Sequence, residues 1–184
     1  MPKSKSIFDR NFYDMLSSEV ISVSGGLVAG LLLALYSDKL LFVPGMLLLL
    51  PGFLEMRGNI SGTLASRLSS GLFLGVIKPK IKNTKIIRGN LFASFALALF
   101  ASFMLGLLAF LFNYFVLKVF VLKIIFLPVI AGLLANAVEI SIVLFATFYL
   151  FRRGHDPNNI MGPLITTTGD LTSIASLLVV FVLI

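Results

Sequence analysis

Residues 89–117 contain no Asp, Glu, Lys or Arg. That run is longer than the ~20 apolar residues that cross the hydrocarbon core of a bilayer as a helix. Three more charge-poor runs follow the same rule, from about Val20 to Tyr36, Val119 to Leu150 and Pro157 to Ile184. The whole chain is 58% hydrophobic and 12% charged, against about 45–50% and about 25% in ordinary globular domains. Lipid is the solvent for such a surface. Inside lipid each backbone polar group must be satisfied by its own segment or by a closed barrel. Uninterrupted apolar runs of this length therefore specify an all-α polytopic membrane protein.

The rest of the composition excludes several chemistries. There are no cysteines, so no disulfide framework or thiolate metal site is available. The single histidine, His155, rules out a His-rich zinc site and argues against a Ser-His dyad. The net charge of +7 does not point to nucleic acid, because most Lys and Arg lie in short segments between apolar runs, where they set topology. No small-residue cleavage site follows the first run, which therefore reads as a retained span and not a signal peptide.

Between the Val20–Tyr36 run and the run at 89–117 lies a block from Leu40 to Ile77 that is too long for one straight span and short for two. The positive-inside rule decides between them. If the block crosses once, the chain has five spans with its N-terminus inside. Lys3, Lys5, Arg10, Lys78, Lys80, Lys82, Lys85, Arg88, Arg152 and Arg153 then lie inside, and only Lys39, Lys118 and Lys123 outside. Two crossings would scatter that bias. The block is thus expected to be a bent or interrupted second span, with Pro44, Pro51-Gly52 and Gly58 as places to break it. Residues 1–18 are read as a cytosolic N-terminal segment, 19–184 as the five-helix membrane domain, and the C-terminus as extracytosolic.

Three acids are left at membrane depth, Glu55, Glu139 and Asp170, and ionisable groups there usually face a pathway or a partner. Glu55 can either pair with Arg57 or Arg67 or face a path. Glu139, with Asn136 one turn earlier, can either make a helix-helix hydrogen bond or serve transport. Asp170 has no local counter-charge, since no Lys or Arg occurs after Arg153. Thr166 and Ser173 share its helical face, with Gly162 a turn earlier. Glu55, Asn59, Gly62, Thr63, Ser66 and Ser70 recur at three- and four-residue steps on the second span. Two faces of oxygen donors and small residues suit a hard cation such as Mg²⁺.

The stretches that carry these faces, PGFLEMRGNISGTLASRLSSGLFLG and HDPNNIMGPLITTTGDLTSIASLL, together cover about a quarter of the chain. The first resembles the second-span signature of the MgtE magnesium-transporter family, and looks closest to the repeated halves of the eukaryotic magnesium solute carriers, where Gly-Asn is followed by LASRLS. The second resembles that family's Asp-Pro entry to the fifth span and its Thr-rich turn ending in Asp. The resemblance implies a homodimer with the ion path at the subunit interface, lined by the second and fifth spans. It implies further that Asp170 matches the acid at the narrowest part of the pore and Asn59 the Asn of the Gly-Asn motif. Thr166 falls where a backbone carbonyl approaches the ion. Gly162 and Ser173 stand where bacterial members can carry Asn and Gly. Magnesium-sensing cytosolic domains precede the membrane part in bacterial members; gating by them is not expected of a chain whose first span starts near residue 19.

The expected function is transport of divalent cations, Mg²⁺ above all, with Asp170, Asn59, Thr166, Glu55, Glu139 and Ser173 as candidate metal-site residues. The expected partners are the lipid bilayer, a second copy of the chain and the transported ions; neither an organic cofactor nor an enzymatic activity is expected. An intramembrane aspartyl protease fits poorly because Asp14 precedes the first span. A Na⁺- or H⁺-coupled carrier of another cation or a small organic substrate is the alternative.

Overall fold

The computed structural model describes residues 9–80 and 84–183; Lys3, Lys5 and Lys82 of the charge count, and Ile184, lie outside the described residues. All regular structure among them is helical: α1 Arg10–Leu35, α2 Ser37–Leu41, α3 Met46–Phe73, α4 Lys85–Phe112, α5 Lys123–Arg152 and α6 Pro157–Leu183. A π-helical turn, Asn113–Leu117, extends α4. Side-chain caps set two of the starts. The Asp9 carboxylate accepts from the Phe12 amide at 3.0 Å, and the Thr84 hydroxyl accepts from the Ile87 amide at 3.3 Å, each satisfying one of the free N–H groups of a first turn.

α1 therefore begins at Arg10, well ahead of the start expected near Val20, and the boundary expected at residue 18 falls inside a helix. Its polar first turns have partners at the start of α6. His155 Nδ1 lies 2.8 Å from Asp14 Oδ2, Arg10 Nη2 lies 3.2 Å from His155 Nε2, and the Ser18 hydroxyl donates to the Asn159 carbonyl at 3.3 Å.

α3 shows no break at two of the three places expected to interrupt the second span. It runs without a break through Pro51, Gly52 and Gly58. Pro51 sits in the second turn, where its missing N–H removes a single backbone bond and lets the helix continue. The interruption lies earlier, at residues 42–45 between α2 and α3. Gly45 there adopts φ +81°, a left-handed conformation open to glycine. Asn113 of the π-turn closes this corner by donating to the Pro44 carbonyl at 2.7 Å, and a Cβ on Gly45 would collide with the same side chain.

α3 and α5 pack on each other and on both α4 and α6, and α1 lies against α6. α4 and α5 approach closely: a Cβ on Gly106 would sit 2.5 Å from the Ile125 carbonyl oxygen, and one on Gly132 would strike the Ser102 hydroxyl. Two apolar cores fill the bundle. Leu49, Phe53, Leu127 and Leu177 belong to one, and Leu68, Val143, Phe148 and Ile165 to the other. The up-down order gathers the start of α1, the end of α3, the start of α4, the end of α5 and the start of α6 at one end. Arg10, Lys78, Lys80, Lys85, Arg88, Arg152 and Arg153 cluster there, while Lys39, Lys118 and Lys123 lie at the other. Four helices, α1, α4 with its π-turn, α5 and α6, are long and apolar enough to cross a membrane. The 28-residue α3 carries Glu55, Arg57 and Arg67 and stands apart from those four in composition only.

Candidate functional site

α3 and α6 run antiparallel, and an open groove of about 490 Å³ lies between them. From α3 come Glu55, Gly58, Asn59 and Gly62; from α6 come Gly162, Thr166, Gly169 and Asp170. The helical spacing explains the selection, since 55, 58, 59 and 62 share one face of α3, as 162, 166, 169 and 170 share one face of α6. A Cβ added to any of these four glycines would meet nothing within 4 Å. The backbone is thus bare to the groove on both walls.

The polar groups differ in how far they are engaged. Asn59 Nδ2 donates to Glu55 Oε1 at 3.1 Å, which leaves the Asn59 amide oxygen and the second carboxylate oxygen facing outward. The Thr166 hydroxyl donates to the Gly162 carbonyl of its own helix at 3.1 Å. Asp170 is half-buried, and among the described residues none donates a hydrogen bond or an ion pair to it. Glu55 and Asp170 are the acids of this groove; no group of three or more Asp, Glu, His or Cys able to hold a metal occurs among the described residues. A groove with two carboxylates and an amide oxygen can hold a cation that keeps much of its water.

The family model of the MgtE divalent cation transporters matches residues 50–180. The chain belongs to the MgtE divalent cation transporter family. The matched segment holds α4 and α5 whole and nearly all of α3 and α6, so both walls of the groove lie within it. MgtE proteins are transporters and not enzymes, and the apolar helices make this one a multi-pass membrane protein whose surroundings are lipid and whose cargo is a divalent cation. No curated protein and no solved structure matches the chain.

Two of the six candidate residues of this MgtE chain lie elsewhere. Ser173 is fully buried on the inner side of α6, and its hydroxyl has no partner among the described residues. Glu139 is fully buried on α5. It accepts from the Thr168 hydroxyl at 2.8 Å and from the Thr172 hydroxyl at 3.2 Å. One turn earlier on α5, the Asn136 amide oxygen accepts from Arg57 Nη1 at 3.0 Å and from the Ser94 hydroxyl at 3.1 Å. Arg57 has no exposed surface at all.

Of the alternatives that the sequence left for Glu55, the geometry shows no pairing with Arg57 or Arg67 and places the residue in the groove. Its hydrogen-bond partner is Asn59, while Arg57 turns inward and Arg67 donates to Asn90 at 3.3 Å. Glu139 makes the helix-helix bonds, to threonines that sequence reasoning passed over. A signal for them existed: Thr168 and Thr172 are four residues apart and straddle Asp170, as Glu55 and Asn59 straddle Arg57. Residues two apart on a helix point to opposite sides.

Proposed function

We propose that the chain transports divalent cations, most of all Mg²⁺, along a path formed when the groove of one copy faces the groove of a second across a two-fold axis. α1, α3, α4, α5 and α6 then serve as five spans with the N-terminus in the cytosol, the side that the positive-inside rule assigns to the Lys78–Arg88 cluster. The composition of α3 agrees with a span: Arg57 is hidden within the bundle, Glu55 is on the groove and Arg67 is near the end. Mg²⁺ sheds its water reluctantly and is commonly held by one or two carboxylates. Asp170 from each copy supplies two charges against its two. Asn59 and the backbone at Thr166 orient the water shell, and Glu55, hydrogen-bonded to Asn59, adds negative potential along the approach. The observation that carries this proposal is that, among the described residues, Asp170 is the acid at membrane depth with no hydrogen-bond or ion-pair partner, in a groove lined by four glycines. Glu139, already engaged by two hydroxyls, and Ser173, turned inward, have structural parts in this scheme.

The test is Mg²⁺ uptake into liposomes holding the purified chain, with and without Asp170→Asn and with and without an imposed membrane potential. Uptake that follows the potential and is lost in Asp170→Asn supports a passive path through this groove. Uptake unchanged by Asp170→Asn would place the ion elsewhere. A flux that appears only with a Na⁺ or H⁺ gradient would favour the coupled carrier, for which interrupted polar segments also serve.

A further inference from the structure

A second groove, of about 600 Å³, opens where α3 ends and α4 begins. It is opposite in character to the first. Arg67, Lys85, Ser70 and Asn90 form its polar wall, and no carboxylate lines it. Among the described residues neither Arg67 nor Lys85 has an acidic partner; Arg67 spends one N–H on the Asn90 amide oxygen at 3.3 Å and presents the rest outward. The start of α4 adds to the positive field. The Thr84 hydroxyl holds the Ile87 amide, so the Lys85 and Ile86 amides are left at the positive end of a 28-residue helix. A cation moving along α3 would be repelled here, so this groove has no use as a continuation of the ion path.

Its rim is oily. Leu74 is 77% exposed and Val76 59%, and both line the groove beside Arg67. A ligand that satisfies both parts must carry negative charge at one end and hydrocarbon at the other. We propose that this groove binds the phosphate headgroup of an anionic phospholipid, with its acyl chains lying over Leu74 and Val76. A guanidinium and an ammonium are the donors that recognise phosphate oxygens, and basic pockets between helix ends at a membrane face take anionic headgroups. A free phosphate would meet the charges but leave the rim uncovered, and that decides between the two sources. The proposal stands independently of the ion path.

The full chain is reconstituted in nanodiscs of phosphatidylcholine with or without phosphatidylglycerol, released into detergent and weighed by native mass spectrometry. Phosphatidylglycerol should remain on the native chain. Its retention should fall about thirtyfold in Arg67→Gln/Lys85→Gln, at about 1 kcal/mol per basic residue near an anionic surface. Lys78→Gln/Lys80→Gln makes the same change in net charge on the neighbouring exposed loop and should keep the lipid. Lys85→Glu, at an exposed position, serves where the double variant folds poorly, and it too should lose the lipid. Equal retention in native and groove variants overturns the proposal, as does equal loss in the loop control, which would mean unspecific attraction to the surface. Thermal protection by inorganic phosphate in pure phosphatidylcholine, matching that given by phosphatidylglycerol, would overturn it in favour of a soluble anion.

Discussion

The two faces of α3 carry the same kinds of residue to different ends. Toward α6 and the outside stand Glu55 and Asn59, exposed, with Gly58 and Gly62 beside them. Toward the bundle, two residues along from each, stands Arg57 with 0% exposure. α6 repeats the division, with Asp170 in the groove and Thr168 and Thr172 turned back to Glu139. α5 lies behind both, one turn holding Arg57 through Asn136 and the next holding the two threonines through Glu139. Polarity at membrane depth thus has two meanings here. Where polar groups satisfy one another they bind helices together; where a carboxylate is left without a partner beside bare backbone, its partner has to come from outside the chain.

The largest effect expected from that contrast is on stability, and it belongs to the closed face. Arg57→Ala removes the donor to Asn136 and empties the largest fully buried side chain of the bundle. Emptying that much buried volume while leaving polar groups unpaired costs about 2–5 kcal/mol, which should abolish a folded peak in detergent or lower the unfolding temperature drastically. The double variant Arg57→Met/Glu139→Gln should recover much of the loss, because it removes both charges together. Arg57 Nε and Nη2 and Asn136 Nδ2 have no partners among the described residues, so the native network is incompletely satisfied and has little net advantage over neutral packing. Equal instability of the single and the double variant would show that charge pairing is not what holds these helices. Asp170→Asn, on the open face, should move stability by no more than about 0.5 kcal/mol, the usual range for a site without packing partners.

Glycines give the same contrast at smaller amplitude. Gly106→Ala puts a methyl against the Ile125 backbone, which cannot swing aside as a side chain can; overpacking of this kind costs about 1–3 kcal/mol. Gly62→Ala meets open space and should gain up to about 1 kcal/mol from helix propensity. Chemical or thermal unfolding of the two variants side by side measures the difference. A destabilised Gly62→Ala would mean that something covers that face, and a second copy seated on the groove is the first candidate to examine by crosslinking.

Much of this was legible beforehand. Residues 89–117 announce a membrane helix by length and lack of charge alone, and the three- and four-residue steps of Glu55, Asn59 and Gly62 mark a face of α3. The groove residues Asn59, Thr166 and Asp170 share faces by the 3.6-residue period, which is a property of the sequence. Other features were hidden for physical reasons. Pro51 looks like a helix breaker, but the cost of a proline depends on its distance from the helix start, and that was set by Gly45 and by Asn113, which bonds Pro44 from 69 positions away. Ser173 lies three residues from Asp170, near enough in rotation to seem to share its face, and only the packing of α6 on its neighbours shows which side of that arc is buried. For Glu139 no sequence rule says whether a carboxylate at mid-span is engaged, because its threonine partners are 29 and 33 positions away.

Ser173 provides the smallest and most pointed test. Its hydroxyl is buried, does not line the groove and finds no hydrogen-bond partner among the described residues. A buried hydroxyl without a partner is itself a cost of about 1 kcal/mol or more, and alanine is the better helix former. Ser173→Ala should therefore leave the unfolding temperature unchanged or raise it slightly, with Mg²⁺ uptake as in the native chain. Thr168→Val, which takes one of the two hydroxyl donors from Glu139, should lower stability by about 1–3 kcal/mol under the same conditions. A loss of uptake in Ser173→Ala at full stability would require α6 to turn about its axis during transport, carrying the 173 side from the core into the path. The division between open and closed faces would then describe one state of the transporter, and Glu139 would have to release its threonines in the other.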